Sequence, residues 1–179
     1  MESTNAFHAH LASTGRSADI PESEDVYGWL CGSWDLDVLH YRAIDVASTG
    51  LKGEVHAGRV LEGRAVQDVW IMPTCGQRGS NGFDSTMNMY GTTLRSWDSS
   101  IKAWRIAWTN PARAHREEQV GRWKGRDILQ EGVRADGTKT RWTFTEITPD
   151  SFHWRGEALY PGKDDWILEG EFLAKRRQA

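Results

Sequence analysis

The chain has 179 residues, with Lys+Arg 22 against Asp+Glu 25, a net charge of −3 and a pI near 6.1. That length supports one domain with a core of ordinary size. The charge excludes the basic footprint of a nucleic-acid binder, and the run Lys175-Arg176-Arg177 reads as a solvated tail.

No apolar stretch approaches the ~20 residues that a membrane span needs. Met1-Glu2-Ser3-Thr4 does not open a basic and then apolar leader. Cys31 and Cys75 carry no CxxC spacing and read as a reduced pair. The expectation is therefore a cytoplasmic protein with no nucleic-acid or membrane partner.

Residues 1–22 mix Ser, Thr, Ala, His and Gly without periodicity and read as a flexible arm, with the domain itself over 23–179. His8 and His10 lie in that arm without a third metal ligand. Ser23, followed by Glu24 and Asp25, is a helix start with acids at the positive end of the dipole. It predicts a short helix over 24–31, whose Val26, Tyr27, Trp29 and Leu30 would plug one end of a barrel.

From Gly32 onward the sequence predicts ten strands: roughly 33–42, 52–61, 64–72, 86–97, 102–110, 117–124, 126–134, 138–147, 152–160 and 165–175. Three of the ten tryptophans, Trp142, Trp154 and Trp166, recur at intervals of twelve, each after a turn signal. A strand of about ten residues plus a tight turn gives that spacing, so the second half reads as an antiparallel meander. The polar piece 73–84 reads as a flexible loop, a lid over the barrel mouth. No dinucleotide fingerprint, P-loop or zinc-ligand spacing is present, and neither cofactor nor metal is expected.

An open meander exposes edges, and closure removes them. The fold expected is all-β: a closed antiparallel barrel of about ten strands with a short N-terminal helix. A two-sheet sandwich is the alternative. Gly32-Ser33-Trp34 resembles the Gly-x-Trp signature that opens lipocalin and related calycin barrels. Trp104-Arg-Ile-Ala-Trp108 and the run from Trp142 to Glu157 are similar to stretches of bacterial lipocalin-like proteins of the DUF1579 kind. The resemblance covers roughly residues 26–175 and implies ligand binding in a barrel, without implying one reaction. The haem-binding relatives, the nitrobindins, hold iron by a histidine on the last strand. The segment from Asp165 to Lys175 contains none.

Side chains alternate along a strand, so the more apolar parity should face inward. In the first strand Trp34, Leu36 and Val38 share a face that His40 and Arg42 continue. Asp68 shares parity with Val66, Trp70 and Met72, and Arg95 with Met89 and Trp97. A hairpin pairing Asp98 with Ile101 would set Arg95 opposite Trp104 and Trp108 opposite Gly91. An inward Arg cannot shed its charge, so Arg95 needs either an anionic ligand or a buried acid such as Asp68. Both readings stand. A type I turn at Thr148-Pro149-Asp150-Ser151 would set Ile147 opposite Phe152 and Glu146 beside His153. That pair is an acid/base device if it faces inward and a polar ladder if it faces outward.

Three functional readings follow. The first is a binder of a small planar or aromatic molecule. Trp34, Trp70, Trp104, Trp108 and Trp154 would supply the apolar wall, and Arg42 and Arg95 would meet an anionic group. The second is a cofactor-independent lyase, isomerase or cyclase with His40 as base or acid, Asp68 as its orienting partner and Arg95 stabilising negative charge. The third is a homodimeric interaction module, through an exposed strand or the Trp123 region.

Overall fold

The computed structural model describes residues 5–78 and 87–178. It contains one short helix, α1 (Ala6–Leu11), and twelve strands. They are β1 (Ala12–Ser13), β2 (Gly32–Tyr41), β3 (Ile44–Asp45), β4 (Lys52–Val60), β5 (Ala65–Met72) and β6 (Met89–Asp98), then β7 (Ala103–Asn110), β8 (His115–Lys124), β9 (Asp127–Val133), β10 (Lys139–Thr145), β11 (Ser151–Leu159) and β12 (Ile167–Arg176). From β4 to β12 each strand pairs with the next, β12 pairs with β2, and β2 pairs with β4. That ring is a closed barrel of ten antiparallel strands. β1 and β3 are two-residue additions on β4 and β2. All ten predicted strands have their counterparts, and closure leaves no free edge within the ring. No helix among the described residues is long and apolar enough to cross a membrane.

The N-terminal helix lies earlier than Ser23 implies. Residues 22–24 and 28–30 form only single 3-10 turns, because Gly28 and the following return to β2 interrupt the run. Residues 6–20, without a periodic pattern in sequence, carry α1 and β1, and Ile20 is fully buried in the core. Of the connection expected over 73–84, residues 79–86 lie outside the described residues.

The expected plug is present at the end of the barrel where β2 begins. Val26, Tyr27 and Leu30 are buried, and Trp29 packs edge-on against Phe144 and Phe152. Trp34 donates its indole N–H to the Leu30 carbonyl at 2.8 Å, and Trp104 donates to the Glu24 carbonyl at 2.8 Å. A fully buried tryptophan contributes on the order of 4–6 kcal/mol as an upper bound. These two are therefore main contributors to the seal. Arg176 fastens the same end. Its guanidinium lies 4.0 Å from the Trp34 ring centre and donates to the carbonyls of Trp29, Cys31 and Pro149 at 2.7, 2.8 and 2.6 Å.

Two register expectations are corrected. The β6–β7 hairpin pairs Asp98 with Ala103, so Trp97 lies opposite Trp104, Arg95 opposite Ile106 and Thr93 opposite Trp108. The turn is two residues longer than the expected one and closes through Lys102 at φ 48°. A shift of two keeps every side chain on its expected face. In the β10–β11 hairpin, Glu146 adopts φ 51° and leaves the ladder, so Thr145 pairs with His153 and Phe144 with Trp154. A shift of one changes faces, and it brings Trp142 and Phe144 inward beside Trp154.

Candidate functional site

At the end opposite the plug the barrel holds a cavity of about 430 Å³. Its walls are aromatic: Trp70 from β5, Trp108 from β7, Trp142 from β10, Trp154 from β11 and Phe172 from β12. Trp154 stacks on Phe172 at 4.9 Å and 12°, and meets Trp142 edge-on at 5.6 Å. The large indole fits because Gly156 and Gly170 pair beneath it. A Cβ on Gly156 would come to 2.6 Å from Trp154 Cη2, and one on Gly170 to 3.1 Å from Cζ3.

The floor is a sealed ion pair. Arg95 Nη1 binds Asp68 Oδ2 with both side chains buried, and the Thr93 amide donates to Asp68 Oδ1 at 3.0 Å. The guanidinium sits 5.1 Å from the Tyr27 ring centre, between cavity and plug, and its Nε has no partner. Burial, opposed by the Arg95 charge, pushes the Tyr27 phenol well above its usual range, so it remains a hydroxyl. It donates to Gln130 Oε1 at 3.1 Å. Gln130 donates to Gln119, and Gln119 to Thr140, so this wall's polar groups are satisfied within the barrel.

The rim carries a second network. Arg134 donates to both oxygens of Glu169 at 2.9 and 2.6 Å and from Nε to the buried Glu117 at 2.6 Å. Tyr160 donates to Glu169 Oε1 at 2.5 Å, and His115 Nε2 lies 3.1 Å from Glu117 Oε1. Burial alone would raise the Glu169 pKa, but the hydrogen bonds from Arg134 and Tyr160 overcome it and hold the carboxyl below the ordinary range. The hydrogen bond to Glu169 raises the Tyr160 pKa in turn. Among the described residues, Arg42, Arg95, Arg113 and Arg134 line the cavity together with the carboxylate of Glu169, and Asp68 and Glu117 stand behind them.

Of the residues expected from sequence, Trp70, Trp108, Trp154, Arg42 and Arg95 line the cavity. Trp34 and Trp104 face inward but belong to the plug end. Asp68 is the structural partner of Arg95. His40 does not join them. β2 bulges at Leu39, so Val38 pairs with Phe172 while His40 pairs with Glu171. The extra residue turns His40 to the outer face and Tyr41 to the cavity. Glu146 and His153 are not a pair: Glu146 is exposed in its left-handed turn, and His153 Nε2 contacts Glu171 Oε1 at 2.8 Å on the outside. Sequence reasoning missed Trp142, Tyr41, His115, Arg134, Tyr160 and Glu169 as site residues. His115 and Glu117 are spaced by two and share a strand face with Gln119, a signal that was available. Arg134 and Glu169 carry none, since only closure of the barrel joins them.

Among the described residues, no group of three or more His, Cys, Asp and Glu side chains is placed to hold a metal ion. No family model matches the chain, and no curated protein matches it. The closed barrel is consistent with a calycin-like fold, while the likeness to DUF1579 proteins gains no support from these comparisons.

Proposed function

We propose that the barrel binds a small planar aromatic molecule carrying an anionic group. The observation that carries this reading is the convergence of five aromatic side chains, from five strands, on one cavity closed at its inner end and ringed by arginines. Aromatic walls with a few convergent polar groups are the usual composition of small-molecule sites. Indole faces and edges favour a flat ring by stacking and edge contacts. The arginine-rich lining favours a carboxylate over a neutral group, with Arg95 below and Arg42 at the rim as candidate partners.

Nitro-aromatic probes quench indole emission, so para-nitrobenzoate and its neutral amide test both parts of the proposal by fluorescence titration. Saturable quenching that weakens in Trp154→Ala, with the carboxylate binding more tightly than the amide, is the expected result. Equal affinity for the two probes would remove the anionic requirement. Absence of saturation by either would remove the binding site.

A further inference from the structure

The rim holds an acid–imidazole pair that binding alone does not need. His115 opens β8 and lines the cavity, half exposed, while Glu117 two residues on is buried behind it. Glu117 Oε1 also accepts a hydrogen bond from Arg134 Nε at 2.6 Å, and a carboxylate oxygen can only accept. His115 Nε2 lies 3.1 Å from Glu117 Oε1, close enough for that oxygen to hold the ring by one of its two nitrogens. The other ring nitrogen, Nδ1, is then the one available to meet a substrate in the cavity that His115 lines. A base oriented by a buried acid beside an aromatic-walled cavity is the arrangement that general-base catalysis requires.

We propose that His115 is a general base, and Glu117 its positioning residue, for cofactor-independent proton abstraction from an aromatic substrate held in this cavity. The inference rests on the binding reading above. In the step, Nδ1 takes a proton from an acidic C–H of the substrate. The C–H electron pair forms a new π bond to the neighbouring atom. In an elimination, the bond from that atom to the leaving group breaks and the leaving group departs with its pair. In an isomerisation, the pair is delocalised onto a carbonyl oxygen and the imidazolium returns the proton to another carbon. No oxidant or reductant enters either course. The substrate class is an aromatic compound with a C–H acidified by a carbonyl group or by a ring heteroatom.

Nitrobenzisoxazole tests the base directly. Loss of its ring C–H proton forms the nitrile and breaks the N–O bond, whose pair stays on oxygen as a coloured cyano-nitrophenolate. Its nitro group lets tryptophan quenching report binding in the same sample. We expect saturable quenching, and turnover that falls ~100-fold in His115→Gln at unchanged probe affinity. His153→Gln, on the outer face, should leave turnover unchanged. Nitrogen NMR should find the His115 proton on Nε2 in the native protein, with the tautomers mixed in Glu117→Gln. Probe binding without turnover, or turnover surviving in His115→Gln, overturns the base and leaves the binding reading intact. Failure of the probe to quench saturably removes the binding reading, and this inference falls with it.

Discussion

Arg95 and Asp68 face each other across β6 and β5 as an ion pair with side chains 1% and 0% exposed, at the boundary between the cavity and the plug. The sequence alone left Arg95 between a ligand's anion and a structural acid, and the geometry gives it the acid first. Asp68 has one further donor, the Thr93 amide. Removing the guanidinium leaves a buried carboxylate with that amide alone. We expect Arg95→Met to lose about 3–5 kcal/mol of unfolding free energy in urea titrations. Arg95→Met combined with Asp68→Leu should recover most of it, because neither charge is then stranded. A single variant as stable as the native protein would show that the pair contributes nothing.

The clasp at the closed end gives a second expectation. Arg176 spreads three carbonyl contacts over Trp29, Cys31 and Pro149 while its plane lies against Trp34. A lysine has the charge but neither the fork nor the flat face. Arg176→Lys should therefore cost about 1–3 kcal/mol, the scale of one or two charge-assisted hydrogen bonds. The native protein and the variant would be compared by thermal and urea unfolding. A loss below about 0.5 kcal/mol would place the seal in the aromatic packing instead.

The architecture was largely legible in the sequence, whereas the site was legible only in part. Alternating apolar positions and Gly-, Asp- or Pro-bearing turns located ten strands, because both signals are local. Inward parity held for Trp70, Trp108, Asp68 and Arg95, whose strands run without a bulge up to them. It failed at His40, where the bulge at Leu39 intervenes, and in the β10–β11 register, where Glu146 leaves the ladder at positive φ. Neither event bears a glycine or asparagine to announce it. The ion pair from Arg134 to Glu169 joins the end of β9 to β12, residues with no local relation.

Acid should act on the rim through Glu169. Its folded pKa is below the ordinary glutamate value, so its stabilising contribution is complete above the unfolded value of about 4.3. That contribution is lost as pH falls through the lower folded value. In Glu169→Gln the loss is already present at neutral pH. The stability difference between the native protein and this variant should therefore be largest near pH 7 and shrink below about pH 4. Denaturant titrations at several pH values measure it. A difference constant across that range would mean that Glu169 titrates alike in the folded and unfolded states.

The bulge at Leu39 makes opposite forecasts for adjacent residues. His40 pairs with Glu171, whose carboxylate is held at the outer surface by His153, while Tyr41 pairs with Gly170 and lines the cavity. His40→Ala should therefore leave para-nitrobenzoate binding and the pH dependence of that binding unchanged. Tyr41→Ala removes a ring from the wall and should weaken binding by about 1–2 kcal/mol, the scale of one aromatic contact plus its buried area. If strict alternation held instead, the two results would exchange places. Fluorescence titration of the two variants side by side decides which residue the strand presents to the ligand.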